Sequence, residues 1–124
     1  METDGRFLNA DFDVASKTDL SPLVEALAPE IPTLNVRRER GRNCVTLEFH
    51  NPTSADSAIK RFSRLVHALP LEARRLWDSA AVRDFDIGVE AADQAFVTKI
   101  SAESVALAAG LRARILFTIY PRTG

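Results

Sequence analysis

Residues 7–14 read Phe-Leu-Asn-Ala-Asp-Phe-Asp-Val, and residues 84–89 read Asp-Phe-Asp-Ile-Gly-Val. Both stretches alternate. In the first, Leu8, Ala10, Phe12 and Val14 share one side and Asn9, Asp11 and Asp13 the other. In the second, Phe85, Ile87 and Val89 oppose Asp84, Asp86 and Glu90. Successive side chains of a strand point to opposite faces, so each pattern predicts a strand with one face on a core and one toward water. An antiparallel sheet covered on one side suits such strands.

Helical periods and turn signals fill the gaps between these strands. Ser21-Pro22 reads as an N-cap and first helical residue, opening a short helix through Leu23, Val24 and Leu27 that Pro29 and Pro32 end. Leu34, Val36 and Arg38 enter a hairpin, and Val45, Leu47 and Phe49 leave it. Its tip is Glu39-Arg40-Gly41-Arg42, where Gly41 tolerates the positive φ of a tight turn. After Asn51-Pro52, Thr53 or Ser54 caps a strongly amphipathic helix with Ile59, Phe62, Val66 and Leu69 on one stripe. Asp56 precedes Lys60 by one turn, a favourable ion-pair spacing. Pro70 opens a second short helix carrying Ala73, Leu76, Trp77 and Ala80 on one side; that spacing places Trp77 in the core rather than at an interface.

Beyond the second alternating stretch, a turn near Ala92-Asp93-Gln94 leads to a predicted strand through Phe96, Thr98 and Ile100. Ser101 caps a last helix, and Gly110 is placed to stop it as a left-handed C′ residue. The closing strand carries Ala113, Ile115, Phe117 and Ile119 on one face, and Arg114, Leu116, Thr118 and Tyr120 on the other. The order β-α-β-β-α-(α)-β-β-α-β predicts an α+β fold. Its sheet is expected to be mostly antiparallel, with about six strands and three main helices on one face. A faint likeness between Val14-Ala15-Ser16 and Lys99-Ile100-Ser101, each read as a strand leading to a helix, suggests a duplicated βαβ plan.

Composition bounds the function. A chain of 124 residues with 46% apolar content suits one domain over residues 1–124 and needs no disulfide or structural metal to complete its core. Sixteen Lys and Arg against seventeen Asp and Glu leave a net charge of −1, which provides no global field toward nucleic acid or an anionic membrane. Cys44 is the single cysteine, so neither an intramolecular disulfide nor a Cys-rich zinc site can form. The polar, acidic N-terminus lacks an apolar signal region, and no stretch approaches a membrane span of about 20 residues. These absences lead to the expectation of a bacterial-type cytoplasm.

Two clusters stand out as candidate sites. Asp11, Asp13, Asp84 and Asp86 would form a group of four carboxylates, suited to a hard divalent cation, if their two strands were neighbours. Alternate residues of one strand stand about 6.5 Å apart, so a single pair ligates one ion only by converging. The competing reading is a solvated face whose charges are offset by arginines such as Arg83 and Arg114. Arg37, Arg38, Arg40 and Arg42 crowd the hairpin, and Arg38, Arg40 and Arg42 are the candidate residues for gripping phosphate or a partner's carboxylates. The same charges equally serve solubility and blunt an exposed edge. No stacking aromatic accompanies them, which argues against nucleic acid.

Nucleophilic catalysis finds no constellation, and no catalytic residue or cofactor is assigned. Cys44 and His50 share a predicted strand but six residues of extended chain separate them by about 20 Å. His67 falls on the polar stripe with Lys60 and Arg64. No Gly-x-Ser-x-Gly elbow or His-Glu-x-x-His occurs, and the five glycines are too dispersed to cradle a phosphate.

Asp86-Ile87-Gly88, Ser101-Ala102-Glu103, Gly110-Leu111 and Phe117-Thr118-Ile119-Tyr120 follow one another as a charged strand, a hairpin, a Ser-led helix, a small-residue stop and a final strand ending at Tyr. This segment resembles the closing half of a family of small bacterial domains of unknown function, and Pro32-Thr33 after the first helix fits the same pattern. The resemblance implies the α+β fold and supplies no catalytic residue. The expected function is therefore a non-enzymatic protein–protein interaction module, of an immunity or regulatory kind, with an unidentified protein partner. The alternative is a metal- or small-ligand-dependent enzyme using carboxylates on the open sheet face. A homodimer through Leu116 and Tyr120 is a third expectation.

Overall fold

In the computed structural model, residues 6–49 and 54–122 are described. Five strands and four helices follow in the order β1 (Phe7–Ser16), α1 (Ser21–Leu27), β2 (Thr33–Glu39), β3 (Arg42–Glu48), α2 (Ala55–His67), α3 (Leu71–Ser79), β4 (Val82–Glu90), α4 (Ala102–Gly110) and β5 (Arg114–Tyr120). The strands form one sheet in the order β2-β3-β1-β4-β5. Three of its four pairings are antiparallel, and β4–β5 is parallel. The fold is α+β as expected, but the sheet is mixed, with five strands rather than about six, and four helices stand where three main ones were expected.

The missing strand is the one expected through Phe96, Thr98 and Ile100. Residues 91–101 hold no helix or strand. A parallel neighbour cannot be reached by a hairpin, because the chain must first return to the sheet end where β4 began. Residues 91–113, including α4, make that return, so Phe96 and Val97 lie largely exposed on the crossover. The hairpin expected in this segment and the duplicated strand before Ser101 are both absent for the same reason.

The helices lie as one layer over one side of the sheet, touching in the chain α1–α3–α2–α4, with α2 and α3 resting on β1 and α4 on β5. At the centre, Phe12 of β1 stacks on Phe62 of α2 with ring centroids 4.0 Å apart, and meets Phe85 of β4 edge-on at 5.2 Å. Phe49 and Trp77 complete the cluster. Trp77 is fully buried and its indole N–H donates to the Leu111 carbonyl at 3.2 Å. Burying each such ring is worth about 1.5–3 kcal/mol.

Local chemistry fixes the element ends, with some shifts from expectation. Ser54 caps α2, its hydroxyl accepting from Ser57 N–H, and Ser101 caps α4 through Ser104 N–H. Thr53 and His50 lie outside the described residues. In α1 the N-cap is Leu20 rather than Ser21, because Ser21 directs its N–H and hydroxyl to the Asp19 carboxylate. The end of α4 also moves. Gly110 stays helical, and Arg112 adopts the left-handed φ of 57° instead. Bonds from Ala113 N–H to Ala108 O and from Arg112 N–H to Ala109 O close a Schellman motif there. The later stop lets Leu111 reach the core and receive Trp77.

Asp56 joins two helix starts. Its carboxylate accepts from Ser101 N–H at 2.7 Å and pairs with Lys60 at 3.1 Å. Burial by itself would raise its pKa, but the hydrogen bonds from Ser104, Ser101 and Lys60 hold it well below the usual carboxylate range.

Candidate functional site

Among the described residues, no helix packs on the second side of the sheet, and the pairing register decides which side chains meet there. β1 and β4 are neighbours, and their Asp-Phe-Asp tripeptides stand directly opposite one another: Asp11 faces Asp86, Phe12 faces Phe85 and Asp13 faces Asp84. On the other side of β1, Glu48 faces Asp11 and Thr46 faces Asp13. On the other side of β4, Leu116 faces Asp86 and Arg114 faces Asp84. Two cross-strand rows result, Glu48–Asp11–Asp86–Leu116 and Thr46–Asp13–Asp84–Arg114.

The second row is satisfied within the chain. Asp84, only 7% exposed, receives two 2.8 Å bonds from the Arg114 guanidinium. This fork geometry suits a carboxylate. Asp13 accepts from the Thr46 hydroxyl at 2.6 Å, and Arg37 in turn donates to that hydroxyl at 3.2 Å. Burial raises the Asp13 pKa, Asp86 and Asp84 add to that, and Thr46 and Arg37 oppose it.

The first row lacks a cation. Asp86 accepts from the Thr118 hydroxyl at 2.7 Å, while Asp11 Oδ1 is buried with no partner among the described residues. Desolvation, followed by contact with the Glu48 carboxyl and repulsion from Glu48, Asp13 and Asp86, pushes Asp11 up to about 8. Asp11 therefore keeps its proton at neutral pH.

Arg83 does not compensate this face, contrary to expectation. It lies on the helix side and donates to the carbonyls of Trp77, Asp78, Ala80 and Arg112. The missed signal was its parity: in a strand where Asp84 and Asp86 face outward, Arg83 must face the helices. Glu48, equally legible by parity in β3, adds a fifth carboxylate to the expected group of four aspartates. Among the described residues, no group of three or more His, Cys, Asp or Glu side chains is placed to hold a metal ion.

The arginine hairpin lies at one end of the sheet, with Arg37 and Arg42 on this face and Arg38, by the register, on the helix side. Its two-residue turn places Arg40 at φ 51° and Gly41 at φ 78°, the mirror-image turn that matches strand twist. Arg37 binds Glu39 at 2.8 Å and Arg38 binds the Asn43 side chain at 3.0 Å. Arg40 and Arg42 are exposed, and their guanidinium groups have no hydrogen-bond or ion-pair partner among the described residues. Cys44 is buried on the face, its Sγ 3.8 Å from the Arg42 carbonyl. His67 is exposed beside Arg74, away from the sheet.

At the opposite end of the face Gly88 makes room for its neighbours. A Cβ there would collide with the Asn9 side chain and press on the Tyr120 ring. A register shift between Phe7 and Asn9 opens the β1–β4 pairing at this point, which leaves Leu8 half exposed while Phe7 packs on the core.

No family model matches the chain, and no curated protein or solved structure matches it either. Among the described residues, no helix is long and apolar enough to cross a membrane.

Proposed function

We propose that the chain is a non-enzymatic interaction module that presents the uncovered side of its sheet to a partner protein with a basic surface. One observation carries this reading. Glu48, Asp11 and Asp86 align across three adjacent strands with no ion pair to any described cation, beside Leu116 and the half-exposed Tyr120. An apolar rim beside the unpaired charges of Glu48 and Asp86, on either side of a protonated Asp11, is the complement of a basic segment with an apolar anchor. The acid–arginine pair Asp84–Arg114 closes the row next to it and leaves the unpaired charge at one end of the face.

The test compares affinity capture by the native chain with capture by the Glu48→Lys/Asp86→Lys chain. A basic protein retained by the first, lost from the second and released by salt supports the reading. Equal capture by both chains, or none by either, defeats it.

A symmetric homodimer is the second reading, and β5 favours it. This edge strand exposes Phe117 at 48% and Ile119 at 58%. An apolar edge is open to strand pairing with a second copy. Light scattering that finds only monomer at high concentration rules it out.

A further inference from the structure

Below the hairpin tip the uncovered face sinks into an open cavity of about 330 Å³. Arg37, Arg40 and Arg42 line it together with Glu39, Asp13, Asp84 and Cys44. The two clusters that stand far apart in the sequence therefore share one concavity. We infer that this cavity binds a free α-amino acid, its carboxylate on Arg40 and Arg42 and its ammonium on Asp13.

The charges that the lining leaves unpaired select the ligand. Arg37 is engaged by Glu39, and Asp84 by Arg114. Arg40 and Arg42 have no side-chain partner among the described residues; Arg40 lies in the tight turn, Arg42 follows it, and both line the cavity. Asp13 has a hydroxyl, Thr46, as its hydrogen-bond partner, with the Arg37 charge at one remove. The leftover groups are two guanidiniums and Asp13, whose partner is a hydroxyl and not a directly bonded cation. An anion such as phosphate satisfies the arginines and meets repulsion from Asp13 and Asp84. A simple cation meets the reverse. A compact molecule carrying both signs satisfies both, and a guanidinium fork is suited to its carboxylate. The volume lies at the small end of the range for ligand sites, about 300–1,000 Å³.

This site uses other residues than the partner surface, whose acidic row lies next to that of Asp13. The full chain is titrated by calorimetry and thermal shift with each common L-α-amino acid. Acetate, methylammonium and inorganic phosphate serve as probes of one sign. At least one amino acid is expected to bind and raise the melting temperature, and the one-sign probes to leave it unmoved. Arg40→Ala/Arg42→Ala, confined to the exposed turn, is expected to weaken binding by about tenfold or more, and Asp13→Asn to do the same. Phosphate binding as tightly as the amino acid, amino-acid binding undiminished in the folded arginine variant, or no amino-acid binding at all overturns the proposal.

Discussion

The tripeptide Asp-Phe-Asp occurs in β1 and again in β4, and the two copies lie side by side in opposite electrostatic states. In β4, Asp84 is locked to Arg114 and Asp86 accepts from Thr118. In β1, Asp13 accepts from Thr46, and Asp11 lies against Glu48 with one oxygen unpartnered. The local sequence is the same, so the difference comes from the flanking strands: β5 brings a cation and a hydroxyl, whereas β3 brings a hydroxyl and another acid. A carboxylate's state in a sheet is set across the strands as much as along them.

The phenylalanines of the two copies provide the largest expected effect, and they test whether the copies are equivalent where they face the core. Phe12→Ala should cost about 3–5 kcal/mol by denaturant unfolding, the usual range for emptying a buried aromatic site. Phe85→Ala should fall in the same range and below Phe12→Ala, since Phe12 meets three rings and Phe85 two. Equal or reversed losses would mean that the central position of β1 carries no extra packing.

Next in size are the carboxylates, where the copies should diverge in sign. Asp84→Asn breaks a two-bond fork at a buried site and should lower the melting temperature at pH 7. Asp11→Asn should raise stability at pH 8 to 9 by about 1 kcal/mol, with the gain reduced by partial solvent screening. The pH dependence has a definite sign. The Asp11 carboxyl is raised above its ordinary value of 3.8 to about 8. Its stabilising share is thus complete below about 3.8 and is lost as pH rises toward 8. The benefit of Asp11→Asn should therefore vanish at pH 4. If Asp11→Asn and Asp84→Asn shift stability in the same direction at pH 8, the contrast between the copies fails.

How much of this was legible in the sequence follows from the range of the interactions. Alternation over 7–14 and 84–89 revealed two strands and the face of each aspartate, because period 2 is local. Ser54, Ser101 and the Arg40-Gly41 turn were legible for the same reason. Neighbourhood was not: no local signal says that β4 pairs with β1, that β5 runs parallel to β4, or that Arg114 lands opposite Asp84. The Phe96–Ile100 segment shows the opposite error, a strand-like pattern used for a crossover. The acidic half of the site and the arginine half were both visible as clusters, and only the sheet order brought them to one cavity.

The smallest expected effect concerns cations. Two carboxylate pairs stand face to face, yet three of the four aspartates already have a donor within the chain. Titration with Mg²⁺, Mn²⁺ or Ca²⁺ should leave the melting temperature within experimental error. A clear rise abolished by Asp11→Asn would instead show that the unsatisfied copy recruits an ion, and would sharpen the contrast in a new way.

Trp77 offers a practical consequence. It is the sole tryptophan, buried under Phe62 with its indole N–H on the Leu111 carbonyl at the end of α4. Fluorescence excited in the red edge of indole absorption therefore originates from one ring, located where α3, α2 and the last turn of α4 meet. Its emission colour should report the closing of that junction without any label, and quenching by iodide should be negligible until the junction opens.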